Sequence, residues 1–274
     1  MEDRGYFPAG QSVLRRVHEE RLVGVLYGQR ALLLQAMHPV AFAGLMEDTR
    51  GLEAPFRRLV RTAKTMERVF FGSRAEADRV GADVRRMHER VPAAGEQEHL
   101  LWILACLADS ALAVHQRFVG RLGRAERERF WAEYLVLGEL FAVDVTRAPA
   151  DFAAFSAYMA ERLAGDELAV TPRARLVATT VAFDLPVPAH RRPALAVINH
   201  AIVGTLPPRA RAEYGLPWGR LDELRLAGLT AGLRAAAAVL PRALWTGSSV
   251  RDYEVVARGE QRRIARGEAP SLAA

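Results

Sequence analysis

The sequence predicts an all-α fold, a single globular helical domain. Three observations carry this: apolar residues recur at helical spacing along nearly the whole chain, period-two alternation of Val, Ile, Thr and aromatics is almost missing, and Pro, Gly and Ser interrupt the pattern at helix-length intervals. With 274 residues, 50% hydrophobic and 26% charged, the chain has the composition of an ordinary globular protein and enough apolar material for a sizeable core. The reading is one domain over 1–274 with its core at about 10–250, and Leu185-Pro186-Val187-Pro188, near 185–190, is the best candidate for a linker.

The elements follow in order. Ser12 is placed to cap a helix from Val13 to Leu26, and Gly28 to Met37 continues as a second helix that His38-Pro39 stops. A third runs from Val40 to Met46, and Asp48 to Pro55 reads as a loop. Helix four covers about Phe56 to Phe71 and ends at Gly72-Ser73. Ser73 and Glu76 have the spacing of a capping box, opening a helix that reaches Val91 and is closed by Pro92. Glu96 to Phe118 is the most apolar helix, and Gly120 and Gly123 end it. Ala125 to Phe141, Ala150 to Leu163 and Pro172 to Phe183 are three more. Beyond the proline break come Arg192 to Val203, Ala210 to Tyr214, an Ala/Leu-rich helix from Leu221 to Leu240, a final short helix after Pro241, and a frayed end from Gly267.

Composition narrows the function classes. One cysteine, Cys106, excludes a disulfide framework and Cys-rich metal sites, so any protein-borne metal ligand is His, Asp or Glu. The net charge of +6 comes from arginines spread along the chain rather than from a basic block, which argues against nucleic acid as a partner. The start, MEDRGYFPAGQS, has acids and a proline where an export signal needs a basic start and an apolar run, and the expectation is a cytoplasmic protein. The longest apolar stretch, Leu100 to Val114, contains Asp109 and falls short of the roughly 18–20 residues of a membrane span, so no transmembrane segment is expected. No glycine-rich phosphate loop follows a strand, and the single Glu-x-x-His, Glu96 with His99, is half of what a di-iron bundle requires.

The histidines on apolar helix faces matter most, because an imidazole in an apolar setting suits an iron ligand or a general base. Val80, Val84, Met87, His88 and Val91 share one face of their helix. His115 shares a face with Leu104, Leu107, Ala111 and Phe118, and His38 stands at a helix end before proline. The residues alone leave His88, His115 and His38 open, each with a bland alternative as a core-edge or capping histidine. His18, His99, His190 and His200 lie near charged or loop segments and read as solvated or local. On helix four, Leu59, Ala63, Met66 and Phe70 form an apolar arc bordered by Thr62, with Arg58 further round and Lys64 outward. A salt-bridged helix edge is the bland reading of that arrangement.

The ordered blocks GQRALLLQAMHP, RLVRT, FFGSRAEA, VRRMHERV, LLWILACLADSALAVHQRF and AERERFWAEYLVLGELF resemble the mpaB-type oxygenase family, which shares its domain with rubber oxygenase. The similarity spans roughly residues 10 to 250. The resemblance implies a globin-like helical core holding heme b, a histidine as proximal iron ligand and an Arg-x-x-Lys-Thr group on the distal side. The proximal position falls on His88. The distal group falls on Arg58-Leu59-Val60-Arg61-Thr62, with Arg61 where rubber oxygenases carry lysine. The alternative register, Arg61-Thr62-Ala63-Lys64-Thr65, turns Lys64 outward. Leu104 stands where many relatives have the histidine of a Trp-x-His block. The implied activity is a heme-dependent oxygenase acting with dioxygen on a hydrophobic small molecule, with Arg58, Arg61 and Thr62 as catalytic side chains and His88, Arg58 and Thr62 holding the cofactor. Its rivals are a heme-binding sensor or carrier without turnover and a cofactor-free helical ligand-binding or interaction protein.

Overall fold

The computed structural model describes residues 5–46, 55–89 and 96–268. Among these residues there are thirteen α-helices, a few single 3-10 turns and no β-strand. The helices are α1 (Val13–Glu19), α2 (Arg21–Gln35), α3 (Pro39–Met46), α4 (Pro55–Phe71), α5 (Arg74–Glu89), α6 (Gln97–Phe118) and α7 (Arg124–Leu140). They continue as α8 (Phe152–Ala164), α9 (Pro172–Phe183), α10 (Arg192–Thr205), α11 (Pro208–Tyr214), α12 (Arg220–Val239) and α13 (Val250–Ala265). The loop expected at 48–55 lies outside the described residues except for Pro55, which begins α4, as do the helix end expected at 91–92 and all but residues 267–268 of the frayed end expected from Gly267.

The layout follows from which helices are apolar all round. A helix without a polar face has to be surrounded, and α6 is the clearest case, with Leu100, Trp102, Leu104, Ala105, Ala108 and Val114 all buried. By length and composition α6 would pass for a membrane span, yet it is the central core helix of this fold. The long α2 lies along it, α9 and α10 cover α2, and α1 packs against α7. Arg30 of α2 is buried and binds three groups on two other helices: Asp109 at 2.7 Å and Ser110 at 2.8 Å on α6, and the Thr205 carbonyl of α10 at 3.0 Å. By contrast α12 lies on the outside and buries only Leu226 fully.

One hydrophobic core takes residues from both sides of the Leu185-Pro188 break. Leu185 itself packs with Phe56 and Val256. The break thus runs inside the packed body and does not link two lobes.

Three boundaries differ from the pattern of the sequence, and one is the expected end at Leu26 with a new start at Gly28, where α2 instead runs unbroken from Arg21 to Gln35. The helix expected over 13–26 is interrupted at Glu20, whose backbone is extended (φ −71°, ψ 115°). The cause is a remote segment: the Arg21 amide donates to the Trp245 carbonyl at 2.7 Å, the Gly247 amide donates to the Glu19 carbonyl at 3.0 Å, and Arg242 pairs with Glu20 at 3.0 Å. The expected short final helix is the 16-residue α13, which turns Tyr253, Val256 and Glu260 inward and packs along α4.

Candidate functional site

Helix α4 carries the expected Arg58, Arg61 and Thr62, and its start is fixed from outside. Pro55 occupies the first turn, where no amide partner is needed, and the Glu260 carboxylate of α13 accepts from the Phe56 and Arg57 amides at 3.1 and 2.9 Å. Lys64 points outward to Glu254 of α13 at 2.7 Å, so the alternative register does put its lysine on the surface. Arg58 is half-buried, and Arg61 is exposed.

Thr62 is exposed and borders a partly open cavity of about 60 Å³ between α1, α2, α4 and the chain from Gly247 into α13, which Glu67, Ser248 and Ser249 also line. Its walls include Leu59, Ala63, Met66, Phe70 and Val250, and its lining includes neither Arg58, Arg61 nor His88. A larger open cleft of about 420 Å³ shares Phe71 with it and is lined by Pro8, Gln11, Arg15 and Ser73.

His88 stands near the end of α5, which packs on α4 and on α7. Gly81 allows the close approach to α7: a Cβ there would lie 2.7 Å from the Leu140 carbonyl oxygen, to which Arg85 donates at 2.8 Å. That contact sets His88 beside the Phe141 carbonyl, which accepts one ring N–H. Its Nδ1 is buried and has no hydrogen-bond partner. Burial holds the imidazole below its ordinary pKa, so it is neutral at pH 7. A neutral histidine with one nitrogen tied to a carbonyl and the other free is the state in which imidazole binds iron, so His88 fits that role.

His115 has a parallel arrangement, with a buried, unpartnered Nδ1, a bond to the Gly120 carbonyl and a pKa lowered by burial. His38 differs, because its Nδ1 accepts from the Ala41 amide at 3.2 Å and caps α3, as a histidine before proline would. Leu104 is packed so closely to Gly138 of α7 that a Cβ there would come within 2.7 Å of it, and it adds no polar group to the site. Among the described residues no three His, Cys, Asp or Glu side chains gather as a metal-ion site.

The sequence pattern read two buried histidines as solvated or local: His99, which meets the His38 ring edge-on at 4.7 Å, and His18. His18 stacks on Phe70 at 4.1 Å, meets the edge of Tyr27 at 4.8 Å and lines the same cavity as Thr62. Its hydrogen bond runs from Nε2 to the Tyr134 hydroxyl at 2.8 Å. Burial, with a smaller contribution from His115, lowers its pKa to about 3. The signal lay in the α1 pattern: Leu14 and His18 are one turn apart on the buried face, but Arg15, Arg16, Glu19 and Glu20 around them suggested a solvated position.

The family model described as ER-bound oxygenase mpaB/B'/Rubber oxygenase, catalytic domain, matches residues 15–237, a span that contains His18, Arg58, Arg61, Thr62 and His88. Neither a curated protein nor a solved structure matches the chain.

Proposed function

Because the chain belongs to the mpaB/rubber oxygenase catalytic-domain family, we propose that it is a heme-b-dependent oxygenase acting with dioxygen on a hydrophobic small molecule. The observation that carries the cofactor is the state of His88: half-buried, neutral, one N–H bonded to the Phe141 carbonyl and a covered Nδ1 without a partner. When bound, heme supplies the dioxygen chemistry that no amino-acid side chain provides.

The protein's own residues bind and orient. His88 would hold the iron, and its bond to Phe141 would fix the ring's tautomer and orientation and raise its basicity as a ligand. Thr62 and Arg58, with Arg61 in support, would offer hydrogen bonds to the oxygen substrate and limit where it rests. Arginines of α4 also suit the carboxylates of a heme edge, since guanidinium pairs with carboxylate in a two-pronged geometry. Aliphatic walls such as Leu59 and Met66 would keep water from the reacting atoms.

The test is a visible spectrum of protein expressed with added heme, quantified by pyridine hemochrome. The expected result is a Soret band at near-stoichiometric heme, abolished in His88→Ala and retained in His115→Ala. No band and no uptake of heme would overturn the cofactor and favour a cofactor-free ligand-binding domain. Loss of heme in His115→Ala with retention in His88→Ala would move the ligand to α6.

A further inference from the structure

Helix α7 closes with the Ala142 amide donating to the Glu139 carbonyl at 3.2 Å and the Val143 amide to the Gly138 carbonyl at 2.9 Å. This pair of bonds calls for a residue in the left-handed conformation, and that residue is normally glycine, because a Cβ there crowds the backbone. Here it is Ala142, with φ at 66°, the one non-glycine residue of positive φ among the described residues. Backbone strain of this kind persists where the surroundings over-determine it, and it gathers at functional sites.

Two helices hold the turn. Arg85 of α5 donates to the Leu140 carbonyl at 2.8 Å, His88 of α5 to the Phe141 carbonyl, and Gln97 of α6 to the Ala142 carbonyl at 3.0 Å. Gln97 is bonded twice: its Oε1 also accepts from the Asp144 amide at 2.6 Å, so one carboxamide grips both peptide groups that follow the strained residue. Its reach is set by the close packing of Leu104 on Gly138, about two turns further along α6.

The turn bears on His88 through one torsion. The Phe141 carbonyl belongs to the peptide group that φ of Ala142 rotates, so releasing Ala142 to a negative φ swings that carbonyl away. Since His88 Nδ1 has no partner, the bond to Phe141 is made by Nε2, and the direction of the carbonyl decides which ring nitrogen keeps the proton.

We propose that Gln97 is a positioning residue for the iron ligand: by gripping the turn after Ala142 it aims the Phe141 carbonyl at His88 and keeps Nδ1 unprotonated. The proposal rests on the reading of His88 as the heme ligand and adds the residue that sets the state of its ring.

Three variants of the full chain test it. Gln97→Ala removes the grip, Ala142→Gly removes the strain, and the double variant removes the grip where it is no longer needed. The first readout is the ring nitrogen chemical shifts of His88 in heme-free protein at neutral pH, which distinguish the two tautomers. The second is the iron–histidine stretching band in the Raman spectrum of the ferrous heme protein, which follows the hydrogen bond at the other ring nitrogen. The expected result is one tautomer, with the proton on Nε2, in the parent and in Ala142→Gly. In Gln97→Ala the ratio of that tautomer to the other falls several-fold and the stretching band moves down, and both return in the double variant. A general loosening of the fold does not give that return. If Gln97→Ala does not fold, Gln97→Glu takes its place: it keeps the acceptor for Asp144 and loses the donor to Ala142, and it gives a smaller shift that Ala142→Gly again reverses. An unchanged tautomer without the Gln97 donor, or a change that Ala142→Gly leaves in place, overturns the proposal. Heme uptake on the same samples separates the two readings. Heme binding with ring signals that do not respond removes the role of Gln97 and leaves the ligand, whereas ring signals that respond in a chain that takes up no heme overturn the ligand.

Discussion

The His18 imidazole is held between Phe70 and Tyr27 with only the Tyr134 hydroxyl to bond it, and the cost of charging it there is a stability term. In the unfolded chain the ring takes its proton near pH 6.5, and in the folded protein only at about 3. Above pH 6.5 both states are neutral and the fold has its full stability. Below that, the unfolded state binds a proton that the folded state refuses, and stability falls by up to about 1.4 kcal/mol per pH unit until the folded ring also titrates. His18→Gln, which keeps a partner for Tyr134, should flatten the fall in urea midpoint between pH 6.5 and 4. His38, His88 and His115, also lowered by burial, would carry the remaining slope. An unchanged slope in the variant would show that His18 is not buried neutral. At this scale the sequence pattern put His88 on an apolar face with Met87, whereas in the fold His88 is half-buried, Met87 is exposed and the ring meets the Phe141 carbonyl. The pattern concealed His18, because charge at the flanking positions says nothing about what a distant helix lays over the face between them.

Among the elements, α4 shows how one helix borrows its start from another. The Glu260 carboxylate supplies the N-terminal acceptor that α4 lacks in its own sequence. Capping of this kind is worth about 1–2 kcal/mol. Glu260→Ala should lower stability to chemical denaturant by that amount, whereas Lys64→Ala, which removes an exposed ion pair between the same two helices, should cost less than about 1 kcal/mol. Equal effects would mean that the cap contributes nothing beyond surface charge. Most helix ends were legible because their signals are local: Ser12 and Thr171 cap with their hydroxyls, and Gly215 closes α11 in the left-handed conformation. The break at Glu20 was not, since it is made by residues 242–247 and no pattern within 13–35 announces it.

For the whole molecule, the decisive contact is Arg30, a cation 3% exposed that joins α2, α6 and α10. Removing one partner of such a pair strands a charge in the interior, at about 3–5 kcal/mol when burial is complete. Asp109 keeps about a quarter of its side chain in contact with solvent, so Asp109→Ala should cost about 3 kcal/mol, measured by thermal or urea unfolding, with Asp109→Asn milder. A cost below about 1 kcal/mol would mean that Ser110 and the Thr205 carbonyl satisfy the guanidinium unaided. The all-α class and the central place of α6 were legible because hydrophobic period and helix length are properties of a single segment. The cavity was not legible, for it exists only where α1, α2, α4 and α13 meet.

The seam where residues 242–247 grip the junction of α1 and α2 also has a consequence in time. A ribosome delivers the first helices more than two hundred residues before the strap that holds their junction in place. Until that strap and α13 emerge, His18 and Phe70 lack their final cover. The chamber is thus among the last parts of the molecule to be assembled, and a nascent chain with most of its core in place would still be open at that wall.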